Sequence, residues 1–173
     1  MKTIQGGVLA LALSGLLLGG CDRAPVQSPA AQAPVLGMYR NLAERDARVD
    51  AETAAEMISA YRGKHGLKPL ILDPALMRIA DAEAVSLAAS AQPASADSVK
   101  AKVAAAGFRA PAANLSAGYQ TFAEAFSGWR ESKGHDAVML DPRADRMGIA
   151  TAYAPGTKYR VFWAMIVADG GAR

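Results

Sequence analysis

The sequence predicts an α/β domain built as a three-layer α/β/α sandwich, with its helices first and a C-terminal antiparallel hairpin. Three observations carry that expectation. Segments with helix caps and apolar residues at helical spacing come first, beginning at Asp50. After Arg146 the apolar period drops to two, as in strands. The last strand, Val161 to Val167, is apolar on both faces, so it needs a cover on each side.

The first helix runs from an N-cap at Asp50 to His65, with Gly66 as its stop. Ala54, Met57, Ile58 and Tyr61 share one face of it. The second starts at Asp73, and Pro74 suits its first turn because the N–H that proline lacks has no partner there. Leu76, Ile79, Ala80 and Leu87 form its buried side, and Glu83, seven residues past Leu76, sits on or beside it. A third helix spans Ser98 to Ala106 and ends at Gly107. Thr121 and Glu124 match a capping box for the fourth, whose stripe of Phe122, Phe126 and Trp129 is core. In the hairpin, Met147, Ile149, Thr151 and Tyr153 alternate with small residues, and Ala154-Pro155-Gly156-Thr157 makes the turn.

The beginning of the chain reads differently. "MKTIQGGVLALALSGLLLGGC" has a cation at Lys2 and an apolar run from Gly6 to Gly20. That run is shorter than the roughly 20 residues a membrane-spanning helix needs, so it reads as a secretory signal. Its end, Leu18-Gly19-Gly20-Cys21, resembles a bacterial lipobox. The resemblance implies a lipoprotein signal peptide over 1–20 and a lipidated Cys21 as the first mature residue. Residues 21–37 then form a Pro/Ala-rich tether, and 38–173 form the domain. Cys21 is the only cysteine, so no disulfide forms within the chain. The expected place is the bacterial cell envelope, anchored in the membrane and facing the periplasm or another extracytoplasmic side.

The 173 residues are 51% hydrophobic with a net charge of +3, enough apolar material for one core. The cations lie in short pairs: Lys100 and Lys102, Arg143 and Arg146, Lys158 and Arg160. No basic stripe interleaved with aromatics is present in the sequence, which argues against a nucleic-acid partner.

Three stretches in series resemble the CAP superfamily, the SCP-like proteins named for cysteine-rich secretory proteins, antigen 5 and pathogenesis-related proteins. "MISAYRGKHGLKPLILDPALMRIADAEA" is similar to its first two helices. "NLSAGYQTFAEAFSGWRESKGHDAVML" is similar to the Gly-Glu-Asn segment, the Trp-bearing helix and the Gly-His that follows. "DRMGIATAYAPGTKYRVFWAMIVA" is similar to the closing hairpin. The resemblance implies an α/β/α sandwich, and a cleft where two histidines and two glutamates hold a divalent cation.

That tetrad is degenerate here. Its second histidine corresponds to His135, and the glutamate of Gly-Glu-Asn falls on Ala113, just before Asn114. The glutamate after the tryptophan falls near Ser132, with Glu131 one residue off, and no histidine stands around Ala94 to Ala96. Three or four protein ligands are the rule for zinc, so no metal and no cofactor are expected. His65 belongs to a helix end. His135, Asn114 and Ser132 remain as the residues of a ligand cleft.

The first functional expectation is a non-enzymatic lipoprotein. It binds a small apolar ligand, as sterol- and fatty-acid-binding members of the superfamily do, or an envelope component such as a protein or peptidoglycan. The second is a hydrolase using His135 with Glu83 or Glu131 as an acid–base pair. Against it, Glu83 has a structural role open to it as the partner of Arg78 or Arg130. Ser132 and His135 also lack the Gly-x-Ser-x-Gly elbow of a serine nucleophile. The third is a docking module with an occluded cleft and an exposed apolar patch.

Overall fold

The computed structural model describes residues 37–90 and 95–171. The signal peptide, Cys21 and nearly all of the tether lie outside the described residues. After a short 3-10 turn, Gly37–Tyr39, the elements run in order α1 (Ala51–Lys64), β1 (Ile71–Leu72), α2 (Pro74–Ser90), α3 (Ala96–Ala105), β2 (Arg109–Ala117), α4 (Phe122–Glu131), α5 (Lys133–Met139), β3 (Arg146–Tyr153) and β4 (Val161–Asp169).

The strands form one sheet in the order β1-β3-β4-β2. β1 pairs parallel to β3, while β3–β4 and β2–β4 are antiparallel. β4 is central and buried on both faces, as its unbroken apolar run requires. Val161, Trp163, Met165 and Val167 point into a core shared with α1, α4 and α5. Ala164, Ile166 and Ala168 point into a second core shared with α2 and α3. The three-layer α/β/α sandwich is thereby established.

The two cores differ in kind. The α1/α4/α5 side is built on large side chains: Trp129 and Trp163 meet edge to face at 5.8 Å, with Phe122 against both. Both indole N–H groups are satisfied, Trp129 by Ser116 Oγ at 3.1 Å and Trp163 by the Tyr119 carbonyl at 2.9 Å. The α2/α3 side is built on small ones. Gly148, Ala150 and Ala152 of β3 let α2 lie directly on the sheet, close enough for Met77 Sδ to accept from the Ile149 N–H at 3.3 Å. A Cβ on Gly148 would collide with the backbone of Leu76 and Met77.

The caps hold as read. Asp50 accepts from the Thr53 N–H at 3.0 Å, and Asp73 accepts from Ala75 and Leu76 at 2.8 and 3.2 Å. Thr121 accepts from Glu124, whose carboxylate reaches back one residue further than a standard box, to the Gln120 N–H at 2.7 Å. His65 is the C-cap of α1, and Gly66 follows at φ +72°.

Several expectations need correction. The third helix begins two residues earlier than predicted, at Ala96, because Ser95 rather than a later residue caps it. The sheet has four strands, not the hairpin alone. β2 reads "RAPAANLSA", and alanine and proline are poor strand formers; its place at the sheet edge is what tolerates Pro111. The buried stripe of α1 is Ala54, Ala55, Ile58 and Arg62, with Met57 and Tyr61 half-buried beside it.

Arg62 is fully buried, and its guanidinium donates only to main-chain carbonyls. Nε reaches Lys68 at 2.8 Å, Nη1 reaches Met139 at 2.7 Å and Asp141 at 3.0 Å, and Nη2 reaches Ala144 at 2.9 Å. One side chain thus joins α1, the loop to β1, the end of α5 and the turn before β3. Burial lowers its pKa, and the nearby Asp141 carboxylate works against that shift. A guanidinium keeps its charge regardless.

Two outcomes follow in urea denaturation. Gly148→Ala loses about 2–3 kcal/mol, because α2 has to lift from the sheet. Arg62→Met loses at least about 3 kcal/mol through stranded carbonyls, and Arg62→Lys does not restore it, since an ammonium cannot fork toward four acceptors. A near-neutral Arg62→Met would remove the clamp from the account.

Candidate functional site

His135 lies in the first turn of α5, half-buried. Its main chain is fixed by Asn114 of β2, which is fully buried and donates from Nδ2 to the His135 carbonyl at 3.0 Å. The other amide atom, Asn114 Oδ1, is buried and accepts no hydrogen bond from the described residues. Along β2 the side chains alternate. Asn114 and Ser116 reach α5 and α4, whereas Ala113 packs in the α2/α3 core with Leu115 beside it.

The neighbouring residue anchors α5 from the other flank. Tyr61 Oη donates to Asp136 Oδ1 at 2.8 Å, and this bond raises the Tyr61 pKa. The Tyr61 ring meets Phe126 edge-on at 5.7 Å, with the Arg130 guanidinium 5.0 Å from the Phe126 ring. His65 packs edge-on against Tyr61 at 4.8 Å and is otherwise exposed. Sequence reasoning placed Tyr61 on a packing face; only the fold brings Asp136 to its hydroxyl.

The predicted acid–base partner Glu83 is placed elsewhere. Glu83 is 4% exposed on α2, and its Oε2 accepts from Lys102 Nζ of α3 at 2.8 Å. Its partner is therefore Lys102, not Arg78 or Arg130, because α3 packs along that flank of α2. Both line a cavity of about 290 Å³ with Ala75, Arg78, Ile79 and Ala82, and His135 is not part of it. Glu131 is exposed at the end of α4. Ser132 joins α4 to α5: its carbonyl accepts from the Asp136 N–H at 2.8 Å, and its hydroxyl makes no capping bond.

Burial lowers the His135 pKa below the ordinary histidine value, and no neighbouring charge enters into that shift. A carboxylate partner would act in the opposite direction. Among the described residues, no three His, Cys, Asp or Glu side chains converge as ligands for a metal ion. The arrangement offers a neutral imidazole as donor and acceptor, held in place through its own carbonyl and the side-chain carboxylate of its neighbour Asp136.

The family model of the cysteine-rich secretory protein family, CAP, matches residues 55–167. Among solved structures, a cysteine-rich secretory protein from Staphylococcus aureus aligns at 19% identity with a TM-score of 0.57, over 69% of this chain and 38% of that one. An extracellular protein containing an SCP domain from Bacillus anthracis aligns at 16% identity and TM-score 0.57, over 68% of this chain and 39% of that one. An outer surface protein from Borrelia burgdorferi aligns at 15% identity and TM-score 0.59, over 68% of this chain and 90% of that one. The chain thus spans under two fifths of the first two proteins' length. No curated protein sequence matches it.

An NMR titration is expected to place the His135 midpoint below 6.5, the ordinary value. The sign of its effect on stability follows. The folded pKa is the lower one, so the contribution is full above pH 6.5 and is lost as pH falls through the folded value. A midpoint above 6.5 would reveal an anionic partner and revive the acid–base pair.

Proposed function

The chain belongs to the cysteine-rich secretory protein family, CAP, and from that premise we propose that it is a membrane-anchored CAP lipoprotein that binds rather than catalyses. The observation that carries this reading is that Glu83, the buried candidate acid, is paired with Lys102 beside a cavity that does not include His135. Of the other positions, Ala113 and Ser132 carry no carboxylate, Glu131 is exposed at a helix end, and Asp136 is engaged by the Tyr61 hydroxyl. Acid–base chemistry needs a proton acceptor within hydrogen-bond reach, and binding does not.

The bound species is a small apolar molecule or a component of the envelope. The apolar molecule is the occupant that the superfamily resemblance favours, and Ala113, which packs in the α2/α3 core, takes no part in that reading. The extracytoplasmic side is supported by the leader and lipobox-like ending at Cys21. The extracellular and outer-surface descriptions of two structural neighbours point the same way. A chain acylated at Cys21 carries more than one lipid tail, and at about 0.8 kcal/mol per buried CH₂ this makes a durable anchor.

Mass spectrometry of the full chain, extracted from bacterial membranes in mild detergent, tests both parts. The denatured mass is that of a chain starting at Cys21 plus its acyl groups. The native mass exceeds it by an apolar ligand that a chelator does not remove. An excess that disappears with chelation would contradict the binding reading, and a native mass equal to the denatured one would leave only a docking role.

A further inference from the structure

The fold gathers at one end cations that are dispersed in the sequence. The segment leading from Gly37 to α1 brings Arg40, Arg45 and Arg48, and the β3–β4 connection brings Lys158 and Arg160. Arg160 joins the two: its Nη2 donates to the Ala43 carbonyl at 3.0 Å and to Tyr153 Oη at 3.2 Å. Arg45 and Asp46 line two adjoining surface cavities, one with Tyr39 and Arg40, the other with Arg48, Val85 and Tyr153. Five cationic side chains here stand with three carboxylates, Glu44, Asp46 and Asp50, the last engaged with Thr53. Glu44 is already engaged with Asn41 Nδ2 at 3.0 Å.

The same end carries exposed apolar groups. Among the described residues four large hydrophobic side chains stand well exposed: Tyr39 at 56% and Val85 at 50% line these cavities, and Tyr159 at 44% lies in the β3–β4 connection next to Arg160. The Lys158 ammonium lies 5.3 Å from the centre of the Tyr159 ring. Tyrosines beside cations are the composition of a surface that meets lipid headgroups, where the ring sits at the interface and the charge at the phosphates. Arg160 holds its position at φ +61°, a conformation in which glycine or asparagine would be less strained.

Gly37, the first of the described residues, stands two residues before Tyr39, which lines the first cavity. Only fifteen residues separate Gly37 from Cys21, which limits their separation to at most about 55 Å. We infer that this face docks on an anionic phospholipid bilayer, laying the domain against the membrane that holds its tether. The inference rests on the lipid-anchored reading above. A tethered domain needs only weak docking, because the anchor already confines it near the surface. Each cation near an anionic leaflet is worth roughly fivefold in the docking equilibrium.

The test is lysine acetylation of the full chain in lipid nanodiscs, followed site by site by mass spectrometry. One set of discs contains phosphatidylglycerol in phosphatidylcholine, the other phosphatidylcholine alone. Lys158 is acetylated at least about fivefold more slowly in the anionic discs, and the protection disappears at high salt. Lys133, exposed on α5, serves as the internal reference and is equally labelled in both. Arg45→Gln/Arg48→Gln, two exposed positions, abolishes the protection without altering the fold. Equal labelling of Lys158 in both lipids, or protection indifferent to salt, would overturn the inference. An absence of acyl mass on Cys21 in the same sample counts against the anchor alone. The lipid comparison still decides docking, because Lys158 protection depends on headgroup charge and not on how the chain is held.

Discussion

The buried guanidinium of Arg62 is the constraint on which the rest of this domain depends. Four main-chain carbonyls, from Lys68, Met139, Asp141 and Ala144, converge on it from three separate segments. Those carbonyls lie in loops and a helix end, and that of Asp141 also accepts from the Ala144 N–H at 3.2 Å. A buried cation alone is expensive, and so are buried carbonyls alone; together each removes the cost of the other. The result fixes the end of α5 against α1. With Asn114 and Tyr61 holding the start of α5, the helix that carries His135 is anchored at both ends.

The sheet divides the labour between its faces. The side toward α1, α4 and α5 holds both tryptophans, and the side toward α2 and α3 is lined with Gly148, Ala150, Ala152 and Ala164. Large side chains hold one pair of layers apart at a packed distance. Small ones let α2 approach until its sulfur and backbone touch the strand. His135 belongs to the first side and Glu83 to the second, which is why sequence patterns that suggested a pair did not bring them together.

Much of this was legible in the sequence because caps and periodicities are local. Asp50, Asp73 and Thr121 cap as their residue types require, and the alternation of β3 was visible as alternation. What was not legible depends on partners far along the chain. β2 is held by pairing with β4, and its alanines and Pro111 hide it. Arg62 occupies a buried position where helical periodicity calls for an apolar residue, and nothing local identifies the carbonyls that accept from it. Glu83 was expected at the buried side, yet its partner Lys102 is set by how α3 packs, not by spacing. The cations around Arg160 looked scattered for the same reason: two segments more than a hundred residues apart meet through one hydrogen bond to Ala43. At the site, the Gly134-His135 motif was visible in the sequence, while the half-burial that lowers the His135 pKa needed the fold.

The helix and strand that hold His135 are secured by Arg62, Asn114 and Tyr61, so the frame around it needs no metal. Calorimetric titration of the full chain with zinc tests that claim most directly. The account predicts no saturable one-to-one heat and no difference between the wild type and His135→Ala. A stoichiometric isotherm that His135→Ala abolishes would show a working metal centre and contradict it.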